Sequence, residues 1–150
     1  MARGETPDAA QRAANELAAT SIAALFRGDR ASQALGMEIV ATGPGTATVR
    51  MTIREDMLNG HRVCHGGLVF ALADSAFAFA CNSHGADALA ASASIDFLMP
   101  ARGGDVLTAA AVETWRAGRS GVTEVTVTNQ NGERVALFRG RSAVVRQPTG

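Results

Sequence analysis

Residues 46–54 alternate polar and apolar side chains without a break, Thr46-Ala47-Thr48-Val49-Arg50-Met51-Thr52-Ile53-Arg54. That period of two marks a strand with one buried face. Gly43-Pro44-Gly45 makes a turn before it and joins it to the segment from Leu35 to Thr42, which predicts an opening hairpin. Upstream the period is helical. Thr6-Pro7-Asp8 reads as a helix start, with Thr6 as the hydroxyl cap and Pro7 at the first helical position. The alanine-rich stretch that follows sets Ala10, Ala14, Leu17, Leu25 and Phe26 roughly on one face, and Gly28 stops it. A packing helix or an oligomer contact is expected there. A second helix is predicted from about Gly66 to Ser83. Extended segments follow at Leu89 to Met99, Val106 to Trp115, Val122 to Thr128 and Arg134 to Val145, the last behind an Asn131-Gly132 pair that favours a tight hairpin turn. The order helix, two strands, helix, four strands predicts an α+β domain on a mostly antiparallel sheet, with no internal repeat, low-complexity tract or linker.

The second helix, Gly66-Gly67-Leu68-Val69-Phe70-Ala71-Leu72-Ala73-Asp74-Ser75-Ala76-Phe77-Ala78-Phe79-Ala80-Cys81, carries apolar residues at every angle. A helix apolar all round has to be wrapped, and strands curling around it are the simple solution. Asp74 sits in its middle, on a stripe with Phe70, Phe77 and Cys81. Burying an unpartnered carboxylate costs several kcal/mol. The residue is therefore either a satisfied buried Asp bonded to a neighbouring element or a tuned base or nucleophile in a dry pocket. The paired glycines at the helix start weaken the helix, but they bare backbone N–H groups at the positive end of its dipole. Such a start suits a developing oxyanion. The spacing is neither GxGxxG nor a phosphate-loop pattern.

Composition narrows the chemistry. One domain fits 150 residues, and a hydrophobic share of 47% is that of a folded chain. Fourteen basic and fourteen acidic residues balance, which argues against nucleic acid or an anionic membrane as partner. All of the basic residues besides histidine are arginine, so lysine Schiff bases are excluded, and the absence of tyrosine removes phenolic acids and bases. Cys64 and Cys81 make no disulfide framework and suit a reducing compartment. The first residues do not read as a secretory signal, and the apolar run Leu68 to Cys81 is too short to span a bilayer. A soluble, cytoplasmic protein is expected.

Gly66 and Asp74 are eight residues apart, so about 12 Å separates them along a helix axis. One carbonyl cannot touch the Gly66 N–H and also be attacked from Asp74 of the same chain. If both serve one reaction, two copies of the helix must lie side by side, antiparallel, with active sites at a subunit interface. His65 is a helix cap or a donor to a substrate oxygen. Asn59-Gly60 is a turn first, and its amide is also placed to steer a carbonyl. Ser92 falls in a polar strand set with Ser94 and Asp96 and resembles no nucleophile elbow. Cys64, His65, Cys81 and His84 do not have the spacing of a common zinc site, so no metal or cofactor is expected.

Asn59-Gly60-His61-Arg62-Val63-Cys64-His65-Gly66-Gly67 and Leu72-Ala73-Asp74-Ser75-Ala76-Phe77-Ala78-Phe79-Ala80-Cys81-Asn82-Ser83 closely resemble the hotdog-fold acyl-CoA thioesterases, and within them the phenylacetic-acid-degradation (PaaI-like) thioesterases. Ser94-Ile95-Asp96-Phe97-Leu98-Met99-Pro100, Gly104-Asp105 and Val135 to Ser142 extend the likeness over about residues 35–145. The resemblance implies a curved antiparallel sheet wrapped around a long central helix, as a hotdog domain over 31–150, with an extra N-terminal helix and extension in 1–30. It also implies dimers that pair into tetramers, with active sites across the dimer interface and an acyl-CoA substrate. Carried over, Gly66 polarises the thioester carbonyl, Asn59 and His65 place it, Asp74 of the other chain activates water or attacks directly, and Ser92 orients the water. Aryl-acetyl groups such as hydroxyphenylacetyl are the expected acyl class, within phenylacetate catabolism. Arg102, Arg116, Arg119 and Arg146 are candidates for the CoA phosphates, and Phe70, Phe77 and Trp115 for an acyl pocket. Two other classes stand beside this reading, a hotdog hydratase or dehydratase and a non-catalytic acyl-CoA-binding module.

Overall fold

The computed structural model describes residues 8–147. Its elements are α1 (Ala9–Gly28), α2 (Arg30–Ala34), β1 (Glu38–Gly43), β2 (Thr46–Thr52), a short 3₁₀ turn (Glu55–Met57), α3 (Gly66–Cys81), β3 (Asp87–Phe97), β4 (Val106–Ala117), β5 (Ser120–Thr128) and β6 (Arg134–Arg146). The strands form one sheet in the order β1-β2-β4-β5-β6-β3, and every neighbouring pair is antiparallel. The expected α+β architecture is present, with α3 lying in the concave face of the sheet.

Alternation decides which side of each strand meets α3. Ala47, Val49 and Met51 of β2, Leu107, Ala109 and Ala111 of β4, Val125 and Val127 of β5, and Phe138 of β6 are buried in one core with Val69, Leu72, Ala73, Ala76, Phe77, Phe79 and Ala80 of α3. The small residues let helix and sheet approach closely. At Gly140 of β6 a Cβ would stand 2.7 Å from the Phe77 ring, so only glycine fits. Phe138 packs tilted on Phe77 and edge-on against Phe70, with ring centroids 5.7 and 5.3 Å apart.

Four expectations need correction. Asp8, rather than Thr6, caps α1: its carboxylate accepts the Gln11 N–H at 2.7 Å, and Thr6 and Pro7 lie outside the described residues. The inward line of α1 is Ala14, Ala18, Ile22 and Phe26, spaced by four, while Leu17 and Leu25 are exposed. The Asn131-Gly132 pair sits in a longer connection, residues 129–133, organised by the Asn129 side chain accepting from the Asn131 and Glu133 N–H groups. Two-residue turns occur instead at Pro44-Gly45, between the paired Gly43 and Thr46, and at Gly118-Arg119, between the paired Ala117 and Ser120. Finally, α3 is not covered on all sides. Gly67 is exposed, and Phe70, Ala71, Asp74, Ser75 and Ala78 are only half-buried, which makes an open stripe along one face.

Helix α2 was not foreseen from the pattern. It is a single turn whose cap, Asp29, also closes α1. It seats beside α3 through the Ser32 and Ser75 hydroxyls, 2.8 Å apart. The outer face of the sheet carries Glu124, Arg139 and Arg141, and β3 forms an edge with Leu89 64% exposed.

Candidate active site

The start of α3 is built by the loop before it. Asn59 Oδ1 accepts from the His61 and Val63 N–H groups at 2.9 and 3.3 Å, which closes a turn in which Arg62 takes a positive φ of 60°. The turn reading of Asn59 therefore holds, and its amide NH₂ makes no hydrogen bond among the described residues. Leu58 bridges to Cys64, and the Cys64 and His65 N–H groups bond the Ala101 and Met57 carbonyls, so the chain enters the helix held on both sides.

His65 is the N-cap of α3. Its Nδ1 accepts the Gly67 N–H at 3.0 Å. A neutral imidazole that accepts at Nδ1 carries its proton on Nε2, so its donor points away from the helix. The Leu68 and Val69 N–H groups bond the His65 carbonyl. The Gly66 N–H is thus left as the first-turn donor without a hydrogen bond among the described residues. A Cβ on Gly66 would meet the Phe97 ring at 3.3 Å. Beside this donor lies an apolar cavity of about 310 Å³, lined by Val63, Cys64, Val69, Phe97, Met99 and Val135 among others.

Asp74 lies two turns further along α3, on the open stripe, and makes no hydrogen bond or ion pair among the described residues. Burial pushes its carboxyl above the usual value of 3.8, and the negative charge of Asp29 adds to the rise. An unpaired carboxylate made more basic in this way suits proton abstraction or nucleophilic attack better than structure-holding. The cysteines do not suit attack. Burial raises the Cys64 thiol, and burial together with Glu113 pushes Cys81 up to about 12. No group of three or more His, Cys, Asp or Glu side chains that could hold a metal ion occurs among the described residues.

Ser92 does not join the other site residues within one chain. Ser92 pairs with the outward Arg141 and Ser94 with Arg139, whereas Gly140 and Phe138, opposite Ala93 and Ile95, face α3. Ser92 consequently stands on the side of the sheet opposite Asp74. The three proposed acyl-pocket aromatics are not at the cavity either: Phe77 is core, Phe70 packs on Phe138, and Trp115 lies exposed, 52% accessible. Phe97 and Met99 line it instead, and their place beside Gly66 depends on a crossover strand that periodicity does not reveal. Of the four arginines, Arg146 pairs with Asp87 and Arg116 lies 3.9 Å from Glu113, while Arg102 and Arg119 are exposed.

Residues 61–136, which include the helix start and Asp74, match the family described as the thioesterase superfamily. The chain belongs to that superfamily. It has the hotdog fold, and as a thioesterase it is a hydrolase acting on thioester bonds. Among its relatives is the acyl-coenzyme A thioesterase PaaI of Escherichia coli, 47% identical over 119 residues, which are 79% of this chain and 85% of that protein. The structure of the E. coli PaaI protein from the phenylacetic acid degradation operon superposes with a TM-score of 0.87 at 43% identity, over 90% of this thioesterase and 99% of that chain. The smu.793 protein of Streptococcus mutans, solved bound to acetyl CoA, gives 0.73 at 27% identity over 75% and 91%.

Proposed function

We propose that this thioesterase hydrolyses acyl-CoA thioesters to the free acid and CoA, with compact aryl-acetyl groups as the preferred acyl class. The observation that carries the site is the free Gly66 N–H at the start of α3, next to an apolar cavity. The E. coli relative is an acyl-CoA thioesterase encoded with phenylacetic acid degradation, and the S. mutans relative binds acetyl CoA. Those names support CoA as the leaving group and phenylacetate catabolism as the setting. The apolar lining of the cavity beside Gly66, with the Phe97 ring and Met99, suits a ring-bearing acyl group.

The reaction needs no more than an oxyanion donor and a nucleophile. The thioester carbonyl oxygen lies at the Gly66 N–H, with the Asn59 amide and His65 Nε2–H placing it. As base, Asp74 takes a proton from water while the water oxygen bonds the carbonyl carbon; as nucleophile, its carboxylate forms that bond itself, and water then cleaves the anhydride. In either route the C–S bond breaks and the electron pair leaves on the CoA thiolate. Because Gly66 and Asp74 of one helix stand about 12 Å apart along its axis, each site joins two chains. The half-open stripe of α3 and the unpaired edge of β3 supply a surface for a second copy. Dimers of this kind would pair in turn as dimers of dimers. Ser92 has no part in this arrangement.

Thiol release from a panel of aromatic and aliphatic acyl-CoAs tests the function. Hydroxyphenylacetyl-CoA and its analogues should give the highest kcat/KM. Hydration of enoyl-CoA without thiol release, or tight binding of the whole panel without turnover, would overturn it.

A further inference from the structure

The short helix α2 is fastened to α3 at the residue next to Asp74, and the fastening ends in a second carboxylate. Asp29 Oδ1 accepts the Ser32 N–H at 3.0 Å, and Oδ2 accepts the Ser32 hydroxyl at 2.6 Å. That bond uses the only hydroxyl proton of Ser32, so in the 2.8 Å pair between Ser32 Oγ and Ser75 Oγ the donor is Ser75. Ser32 is 2% exposed and Asp29 and Ser75 are half-buried, so the clasp has a buried centre and partly open ends. We propose that Asp29 is a positioning residue for Asp74: through Ser32 and Ser75 it locks α2, and with it the Asp29 charge, onto the turn of α3 that bears Asp74. The inference rests on the reading of Asp74 as the reacting carboxylate.

The surroundings leave Asp29 as the charge that matters. From β2, β5 and β6 the residues facing α3 are apolar, glycine or hydroxyl-bearing, and from β3 they are apolar. From β4 the one titratable group facing α3 is Glu113, held by His84 at 2.8 Å near the far end of the helix. The inward line of α1 is apolar, Arg27 and Arg30 are exposed, and Cys81 on α3 itself stays neutral because its thiol is pushed up to about 12. After burial, the Asp29 charge raises the Asp74 carboxyl.

The Asp29→Asn variant separates charge from structure. Asparagine caps a helix as well as aspartate. Its Oδ1 can accept the Ser32 N–H while its Nδ2 donates to Ser32 Oγ, which is then free to donate to Ser75. The expected result is a melting temperature at pH 7 no lower than the parent's, an acid limb of kcat/KM displaced to lower pH, and a plateau kcat about two- to fivefold lower, as a weaker base gives. Carbon-13 NMR titration of the Asp74 carboxyl should move in the same direction without any turnover. If the carboxyl titrates identically in both proteins while Asp74→Ala is inactive, Asp29 has no such role and the reading of Asp74 survives. If Asp74→Ala turns over normally, the reading itself fails and the inference falls with it.

Discussion

Asp74 shows how far one residue's chemistry depends on what surrounds it. Its carboxyl lies above the ordinary 3.8, raised first by burial and then by Asp29. The folded state therefore holds the Asp74 proton more tightly than the unfolded chain does. The stability tied to Asp74 is fully present below 3.8 and is lost as pH rises through the folded value. Asp74→Asn carries no charge at any pH, so its melting temperature should exceed that of the parent at pH 7, with the gap closing in acid below about pH 4. The same variant should lose about 10²–10⁴ in kcat, the usual worth of a general base. A variant both more stable and inactive would mark the carboxylate as kept for chemistry. Near-normal turnover would remove it from the mechanism.

At the scale of the element, the start of α3 separates the donor from the fold. Gly66 is the first residue after the cap, and proline is tolerated there because that N–H has no helical partner. The preceding His65, at φ −55° and ψ 128°, already has the extended backbone that proline demands of its neighbour. Gly66→Pro should therefore fold, as judged by circular dichroism, yet lose roughly 10²–10³ in kcat with the oxyanion donor. Gly66→Ala is its control: it brings a Cβ to the Phe97 ring but keeps the N–H. Equal activity of the two variants would exclude the donor. At the other contact of this helix, Gly140→Ala drives a methyl into the buried Phe77 ring. Overpacking of that kind costs about 1–3 kcal/mol, to be read as a lower urea midpoint.

The whole molecule enters through the distance between donor and carboxylate. If each site borrows Gly66 from one protomer and Asp74 from its partner, two dead variants should repair each other. Mixing Asp74→Asn with Gly66→Pro and allowing subunits to exchange should restore about a quarter of the parent activity, because half of randomly paired dimers hold one intact site of two. Silence after proven exchange would confine each site to one chain. The open stripe of α3 and the exposed edge of β3 are the surfaces that such a pairing would use.

Periodicity was enough for the strands, the central helix and the α+β class, because both patterns record which side of an element is buried. Asp74 and the Gly66-Gly67 start were legible for a related reason: a charge inside an apolar helix and two glycines at its beginning each oppose local preference. The free state of the Gly66 N–H follows from a cap that only the folded loop creates, with His65 taking Gly67. Ser92 shares the outward face with Ser94, each paired to an exposed arginine of β6, and alternation shows that two residues share a face but not which face meets the helix. The Asp29–Ser32–Ser75 clasp and the Phe97 wall beside Gly66 join residues far apart in the chain. Local sequence fixes which atoms an element offers, and the tertiary packing alone decides which of them meet.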